Sequence, residues 1–217
     1  MKNMNDNAQQ LRKEYSQMPL LESEALPSPF EQFELWFNQV LKSEMEEPYA
    51  MVLSTVNNST PYSRLVLLRE FSKEGFGFYT NYNSAKGQQI LENNHVALNF
   101  FWPGLERQIR IQGIASKQTE EKSDIYFNTR SEISRVGAWS SLQSKELKDR
   151  AELEELFEFN SKAHPETSSV RPGYWGGYIV KPNYFEFWQG RPNRMHDRLA
   201  YTLEDNNLLW KIKRLAP

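Results

Sequence analysis

Two arginines bracket an apolar run at Arg64-Leu65-Val66-Leu67-Leu68-Arg69. A guanidinium on such a strand cannot be buried alone, because an unpaired charge in a core is very costly. Each arginine therefore pairs with a neighbouring carboxylate or faces an anionic ligand, and the local sequence leaves both open. Ser84-Ala85-Lys86 opens a helical stretch. A helix start offers free amides and partial positive charge, and Lys86 adds a full charge, which suits a phosphate. The same serine could be only a cap. Gln143-Ser144, near Trp139, reads locally as a linker between helical segments. The densest cluster is Phe187-Trp188-Gln189-Gly190 followed by Arg194-Met195-His196-Asp197-Arg198. A solvated loop could hold these residues. Yet a guanidinium stacks on flat rings and forks onto phosphate or carboxylate, and histidine can orient a phosphate or relay a proton.

What is missing narrows the chemistry. None of the 217 residues is cysteine, which removes disulfides, iron–sulfur clusters, cysteine-bound zinc and thiol catalysis. His95, His164 and His196 form no paired-histidine metal motif, so no metal is expected. Neither GxGxxG after a strand nor GxxxxGK[ST] occurs, and there is no GxSxG elbow. A net charge of −2 argues against general nucleic-acid binding. Apolar runs such as Val96–Trp102 fall far short of the ~18 residues a membrane span needs. The polar N-terminus lacks a signal-peptide core, so a cytoplasmic location is expected. Aromatic residues make up 13% of the chain, enough to fill a core, to line a site for a flat ring, or both.

The elements that must carry these residues read as follows. Residues 1–26 are polar, with a short helical candidate at Gln9–Tyr15, and read as a mobile arm; residues 27–217 read as one domain. Ser28-Pro29-Phe30-Glu31 is a capping-box signature ahead of Phe33, Trp36, Phe37, Val40 and Leu41 at helical spacing. Strands are expected at Tyr49–Val56, Tyr62–Phe71, Phe76–Asn81, Val96–Trp102, Glu106–Ser116, Tyr174–Val180, Tyr184–Trp188 and Leu208–Leu215. Helices are expected at Ala85–Asn93 and across 119–163. Short strands, tight turns and few helices suggest an α+β fold whose antiparallel sheet closes on itself, not a doubly wound parallel one.

Together these segments resemble the pyridoxine (pyridoxamine) 5'-phosphate oxidase family. The matching blocks are RLVLLR at 64–69, FYTNYNSAKGQQI at 78–90, LERQIRIQG at 105–113, YFNTRSEISRVGAWSSLQS at 126–144, WGGYIV at 175–180, EFWQGRPNRMHDR at 186–198 and KIKRLAP at 211–217. The resemblance implies an FMN-binding split β-barrel with surrounding helices, acting as a homodimer with sites at the subunit interface. It implies oxidation of pyridoxine or pyridoxamine 5'-phosphate to pyridoxal 5'-phosphate, with O2 as acceptor and H2O2 as product. Carried over by position, Arg64, Leu65, Val66, Leu67, Leu68, Arg69, Tyr79, Thr80 and Lys86 would hold FMN. Gln108, Gln143, Ser144, Trp188 and Arg198 would complete that site, partly from the other subunit. Arg69, Tyr126, Arg130 and Ser134 would meet the substrate phosphate, and Arg194, Met195 and His196 the pyridine ring, with Arg194 and His196 nearest the chemistry. Arg194 and His196 stand two residues apart in what reads as an extended segment, so both can face a ligand. Arg12, Lys13, Glu14 and Tyr15 resemble the family's arm over the substrate.

Two departures stand out. The family usually has lysine where Arg69 stands, and commonly arginine where Ala85 stands. The second removes a charge-assisted contact of roughly 1.5–3 kcal/mol, so weaker FMN binding than in relatives is expected. An FMN split-barrel oxidase of another ring, such as a phenazine precursor, is the alternative enzyme on this scaffold. A non-catalytic flavin or pyridoxal-phosphate binder is the alternative outside catalysis.

Overall fold

The computed structural model describes residues 14–163, 169–204 and 209–217. Its described helices and its antiparallel strand ladders make an α+β fold. The expected helix 9–15 falls largely outside the described residues, and Glu14 and Tyr15 are not helical.

The chain divides into two compact units. The first comprises residues up to 48, 99–110 and 184–217; the second comprises 49–98 and 111–183. The first unit opens with α1 (Pro29–Leu41). Ser28 stays extended and its hydroxyl accepts from the Glu31 amide at 3.5 Å, while Pro29 takes a position that needs no donor. The helix buries Phe33, Trp36 and Val40 against Phe100, Trp102 and Phe187. Truncating Phe33, which is fully buried, would cost about 3–5 kcal/mol.

In the second unit, β1 (Ala50–Asn57) pairs with β2 (Thr60–Leu67), and β3 (Glu70–Ser72) with β4 (Gly75–Asn81). The single strand expected at Tyr62–Phe71 is thus two. The Leu68 amide still donates to Tyr49, whereas the Arg69 amide donates to Gly77, so the chain changes partners between them. After β4 come α2 (Ala85–Glu92), β5 (His95–Trp102) and β6 (Arg107–Lys117). In β6, Ile109, Ile111, Gly113 and Ala115 point inward and their neighbours outward, the period-2 pattern of a half-buried strand. The stretch 119–163 resolves into α3 (Glu120–Thr129), α4 (Glu132–Ser140) and α5 (Arg150–Ala163).

Two strands were expected around Pro182, but one runs through it: β7 (Trp175–Gln189). Its first half pairs with β4 over Trp175–Val180 and its second with β8 over Tyr184–Gln189. Pro182 lies between the two ladders, where its missing donor breaks neither. A strand not expected from the sequence, β8 (Asp197–Leu203), pairs with β9 (Trp210–Arg214). The hydrogen-bonded order is β2-β1-β5-β6-β7-β4-β3, with β8 and β9 joined through β7. No helix among the described residues is long and apolar enough to cross a membrane.

Candidate active site

The second unit gathers cations around a cavity of about 300 Å³. Leu65, Val66, Leu67, Arg69, Tyr79, Thr80, Lys86, Tyr126, Arg130 and Gln143 line it, together with Trp175, a residue that no sequence signal marks as functional. Local structure explains each placement. The β2-to-β3 crossing delivers Arg69 to the rim, its guanidinium carbon 5.6 Å from the Tyr49 ring centre. Asn81 and Ser84 close the turn after β4: the Ser84 hydroxyl donates to the Asn81 carbonyl at 2.6 Å and accepts from the Gly87 amide at 3.3 Å. A Cβ on Gly87 would lie 2.1 Å from the Tyr82 carbonyl oxygen, so only glycine lets α2 sit this close to the turn.

Lys86 points from the first turn of α2 at neutral acceptors. Its ammonium reaches the Gln143 Oε1 at 2.7 Å and the Thr80 hydroxyl at 3.2 Å. Burial, and secondarily the charge of Arg64, hold its pKa down to about 8. Arg64 donates to the Leu53 carbonyl at 3.2 Å, the Thr55 hydroxyl at 2.7 Å and the Gln89 Oε1 at 2.8 Å.

Aromatic rings line part of the cavity. Tyr79 and Tyr126 stack with ring centres 3.8 Å apart, and Trp175 lies nearly parallel to both at 5.6 and 6.2 Å. The Arg130 guanidinium carbon sits 4.7 Å over the Trp175 ring centre, and among the described residues its buried Nη1 has no hydrogen-bond partner. Burial, then the Tyr126 and Arg69 charges in opposite senses, leave the Arg130 pKa lowered. Tyr79 is pushed up to about 12 by burial and next by Glu70, so it stays a phenol donor. Among the described residues no carboxylate pairs with Arg64, Arg69, Lys86 or Arg130. Three of these cations, Arg69, Lys86 and Arg130, line the cavity, an arrangement whose charge suits an anion.

Arg64 and three other named residues of this unit stand apart from the cavity lining. Leu68 is buried in the core. Ser134 is half-buried at the start of α4, its hydroxyl 2.8 Å from that of Ser131. Ser144 is exposed with a left-handed φ of 72°.

The remaining named residues lie in the first unit. Trp188, near the end of β7, has its ring centre 4.7 Å from that of His196, and Tyr15 meets both edge-on at 5.6 Å. The His196 Nδ1 accepts from the Arg191 amide at 3.1 Å, so its ring proton sits on Nε2. Burial first and Arg194 second lower the His196 pKa, against the opposing pull of Asp197. The extended segment expected at 194–196 is a correction: Pro192–Arg194 forms a 3-10 turn in which Asn193 and Arg194 have φ of 55° and 60°. Met195 is exposed. Arg198 is engaged by Glu186 at 2.9 Å and by the Ala216 carbonyl at 2.7 Å, and Gln108 is half-buried on β6. Glu14 is exposed; Arg12 and Lys13 lie outside the described residues. The Ser16 and Gln17 amides behind Tyr15 donate to the Glu106 carboxylate at 2.9 and 3.3 Å. No group of three potential metal ligands occurs among the described residues.

Comparison with known proteins follows this geometry. Residues 37–158 match the model of the pyridoxamine 5'-phosphate oxidase family, and residues 175–217 that of the pyridoxine 5'-phosphate oxidase C-terminal dimerisation region. A pyridoxine/pyridoxamine 5'-phosphate oxidase of Cytophaga hutchinsonii is 51% identical over 216 residues, covering 99% of this chain and 100% of the relative. One from Gloeothece citriformis is 46% identical over 215 residues, with 99% and 100% covered. Among solved structures, PhzG of Burkholderia lata, in complex with tetrahydrophenazine-1-carboxylic acid, superposes with a TM-score of 0.85 at 27% identity, over 93% of this chain and 100% of that one. An FMN-binding, pyridoxamine 5'-phosphate oxidase-related protein of Nostoc punctiforme shares the fold at a TM-score of 0.70 and 16% identity, over 89% and 100%. With family models spanning both the anion site and the Trp188–His196 cluster, this chain belongs to the pyridoxine/pyridoxamine 5'-phosphate oxidase family.

Proposed function

We propose that the chain is an FMN-dependent oxidase converting pyridoxine and pyridoxamine 5'-phosphates to pyridoxal 5'-phosphate, with O2 as electron acceptor and H2O2 as product, the amine substrate also consuming water and releasing ammonia. The observation that carries this reading is the set of cations without counter-ions around the aromatic-walled cavity, above all the buried, unpartnered Arg130 Nη1. Both molecules the reaction needs join a flat ring to a phosphate through a saturated arm, and the residues present fit both: donor-only cationic side chains for phosphate, parallel rings for aromatic faces. FMN, held by these residues, would supply the two-electron redox chemistry that the side chains lack.

The chain's own residues bind and orient. Arg64, Thr80, Lys86 and Gln143 would hold the FMN phosphate side. Arg69, Tyr126, Arg130 and Ser134 would fix the substrate phosphate, a remote handle whose binding energy holds the reacting carbon in place. Arg194 would hold the pyridine substituents, and His196, neutral with its proton on Nε2, would donate to one of them. Gln108, Trp188 and Arg198 would complete the flavin site within a homodimer, a state supported by the C-terminal dimerisation region. Ala85, exposed at the first position of α2, leaves the phosphate one cation short of the family's usual set.

Adding FMN and then pyridoxamine phosphate under air tests the reading. Yellow protein, stoichiometric peroxide and pyridoxal phosphate are expected; no peroxide from either B6 phosphate overturns it. The PhzG neighbour favours one second reading, oxidation of a reduced phenazine carboxylate. Faster turnover of that compound than of the B6 phosphates would decide for it.

A further inference from the structure

We infer that Gln89 is a positioning residue for Arg64, one that fixes the guanidinium while leaving its charge uncancelled for a phosphate. The inference rests on the reading above, that Arg64 and Lys86 serve the FMN phosphate. Gln89 lies on α2, one turn after Lys86, and is buried. Its Oε1 accepts from Arg64 Nη2 at 2.8 Å and from the Thr55 hydroxyl at 2.7 Å. Arginine has donors only, so the amide must turn its oxygen toward Arg64. The other Arg64 contacts are the Thr55 hydroxyl and the Leu53 carbonyl, again neutral acceptors.

A carboxylate is the usual partner for a half-buried guanidinium, and the charge-assisted pair would be shorter and stronger. Here the acid nearest along the helix, Glu92, is occupied by Asn57 instead. Lys86 repeats the arrangement, braced by Gln143, Thr80 and Ser84 and by no acid. Each cation thus has its orientation set by oxygens that carry no full charge, so both positive charges remain available to one anion. The cost is visible in Lys86, whose proton affinity falls through burial and through repulsion by Arg64.

Gln89→Glu separates orientation from charge, because it keeps an oxygen near Arg64 and adds one negative charge. The full chain, freed of flavin, is titrated with FMN and with riboflavin, which has the same ring and no phosphate, following flavin fluorescence. Wild type is expected to bind FMN at least tenfold more tightly than riboflavin. The variant is expected to weaken FMN at least tenfold and riboflavin less than twofold. If wild type shows no preference for FMN, the reading of the site fails, and this inference with it. If wild type prefers FMN and the variant weakens neither ligand, or both equally, the inference alone is overturned. Should Gln89→Glu not fold, Gln89→Met serves: with the acceptor gone, FMN binding should weaken threefold or more and riboflavin binding stay unchanged, and unchanged FMN binding overturns the inference.

Discussion

The Arg130 guanidinium carbon stands over the Trp175 ring, 4.7 Å from its centre, with Nη1 buried and without a partner among the described residues. A buried donor without an acceptor costs about 1–3 kcal/mol, so the folded chain carries a deficit that an anion would remove. Arg130→Met is therefore expected to leave thermal stability equal or higher, while kcat/KM for pyridoxamine phosphate falls at least a hundredfold. Melting curves and steady-state kinetics check the pair of outcomes, and a variant both less stable and fully active would remove Arg130 from the site.

Lys86 titrates near 8 rather than at the ordinary 10.5 because burial, and then Arg64, disfavour its charged form. The sign follows directly. Between about pH 8 and 10.5 the unfolded chain holds this proton and the folded chain does not, so the free protein gains stability as pH rises through that window. A phosphate prefers the charged lysine, so FMN affinity should fall above pH 8, approaching a factor of ten per pH unit. Calorimetric titration from pH 7 to 9.5 measures the slope, and Lys86→Met should flatten it.

Glu186 is almost fully buried and accepts from Arg110 and Arg198, each at 2.9 Å, and from the Tyr184 hydroxyl at 3.1 Å. Removing a buried carboxylate leaves its partners unpaired; both arginines reach solvent, which reduces the penalty. Glu186→Ala is expected to lower stability by about 2 kcal/mol in urea unfolding. A loss below about 0.5 kcal/mol would mean that water replaces the carboxylate at both guanidinium groups.

Arg194 occupies a left-handed backbone position, φ 60°, that favours glycine. Two substitutions separate backbone from side chain. Arg194→Ala and Arg194→Gly should each lower kcat/KM at least tenfold, about 1.4 kcal/mol, with FMN retained. Gly should be the more stable of the two by about 1 kcal/mol. Wild-type activity in either variant removes Arg194 from the reaction.

The anion site could be read in part before any fold was known, because its ends carry chemical signatures. Arg64 and Arg69 stand out as charges on an apolar strand, and Ser84-Ala85-Lys86 as a capped helix start. Trp175 and Gln89 carry no such mark. A tryptophan opening a strand and a glutamine inside a helix look like packing and surface until the cavity and the Arg64 bond are in view. Boundaries failed where tertiary pairing overrides local pattern: at Leu68–Arg69 the chain changes ladder partners, and at Pro182 one strand continues through a residue that usually stops one. Strand β8 was hidden because Arg198 and Asp197 dominate its start, although Leu199 and Tyr201 behind them are fully buried. The turn at Asn193–Arg194 depends on positive φ at residues that do not require it, so no local rule announces it.

The fit of Gly87 against the Tyr82 carbonyl has a kinetic meaning. A corner with no room for an extra atom at Gly87 has few alternative shapes, so Ser84 and Lys86 are expected to hold the same positions with and without an anion. Little ordering entropy remains to be lost on association at this corner, and capture of a phosphate there should proceed as a rigid docking event, quick and without a slow closing phase.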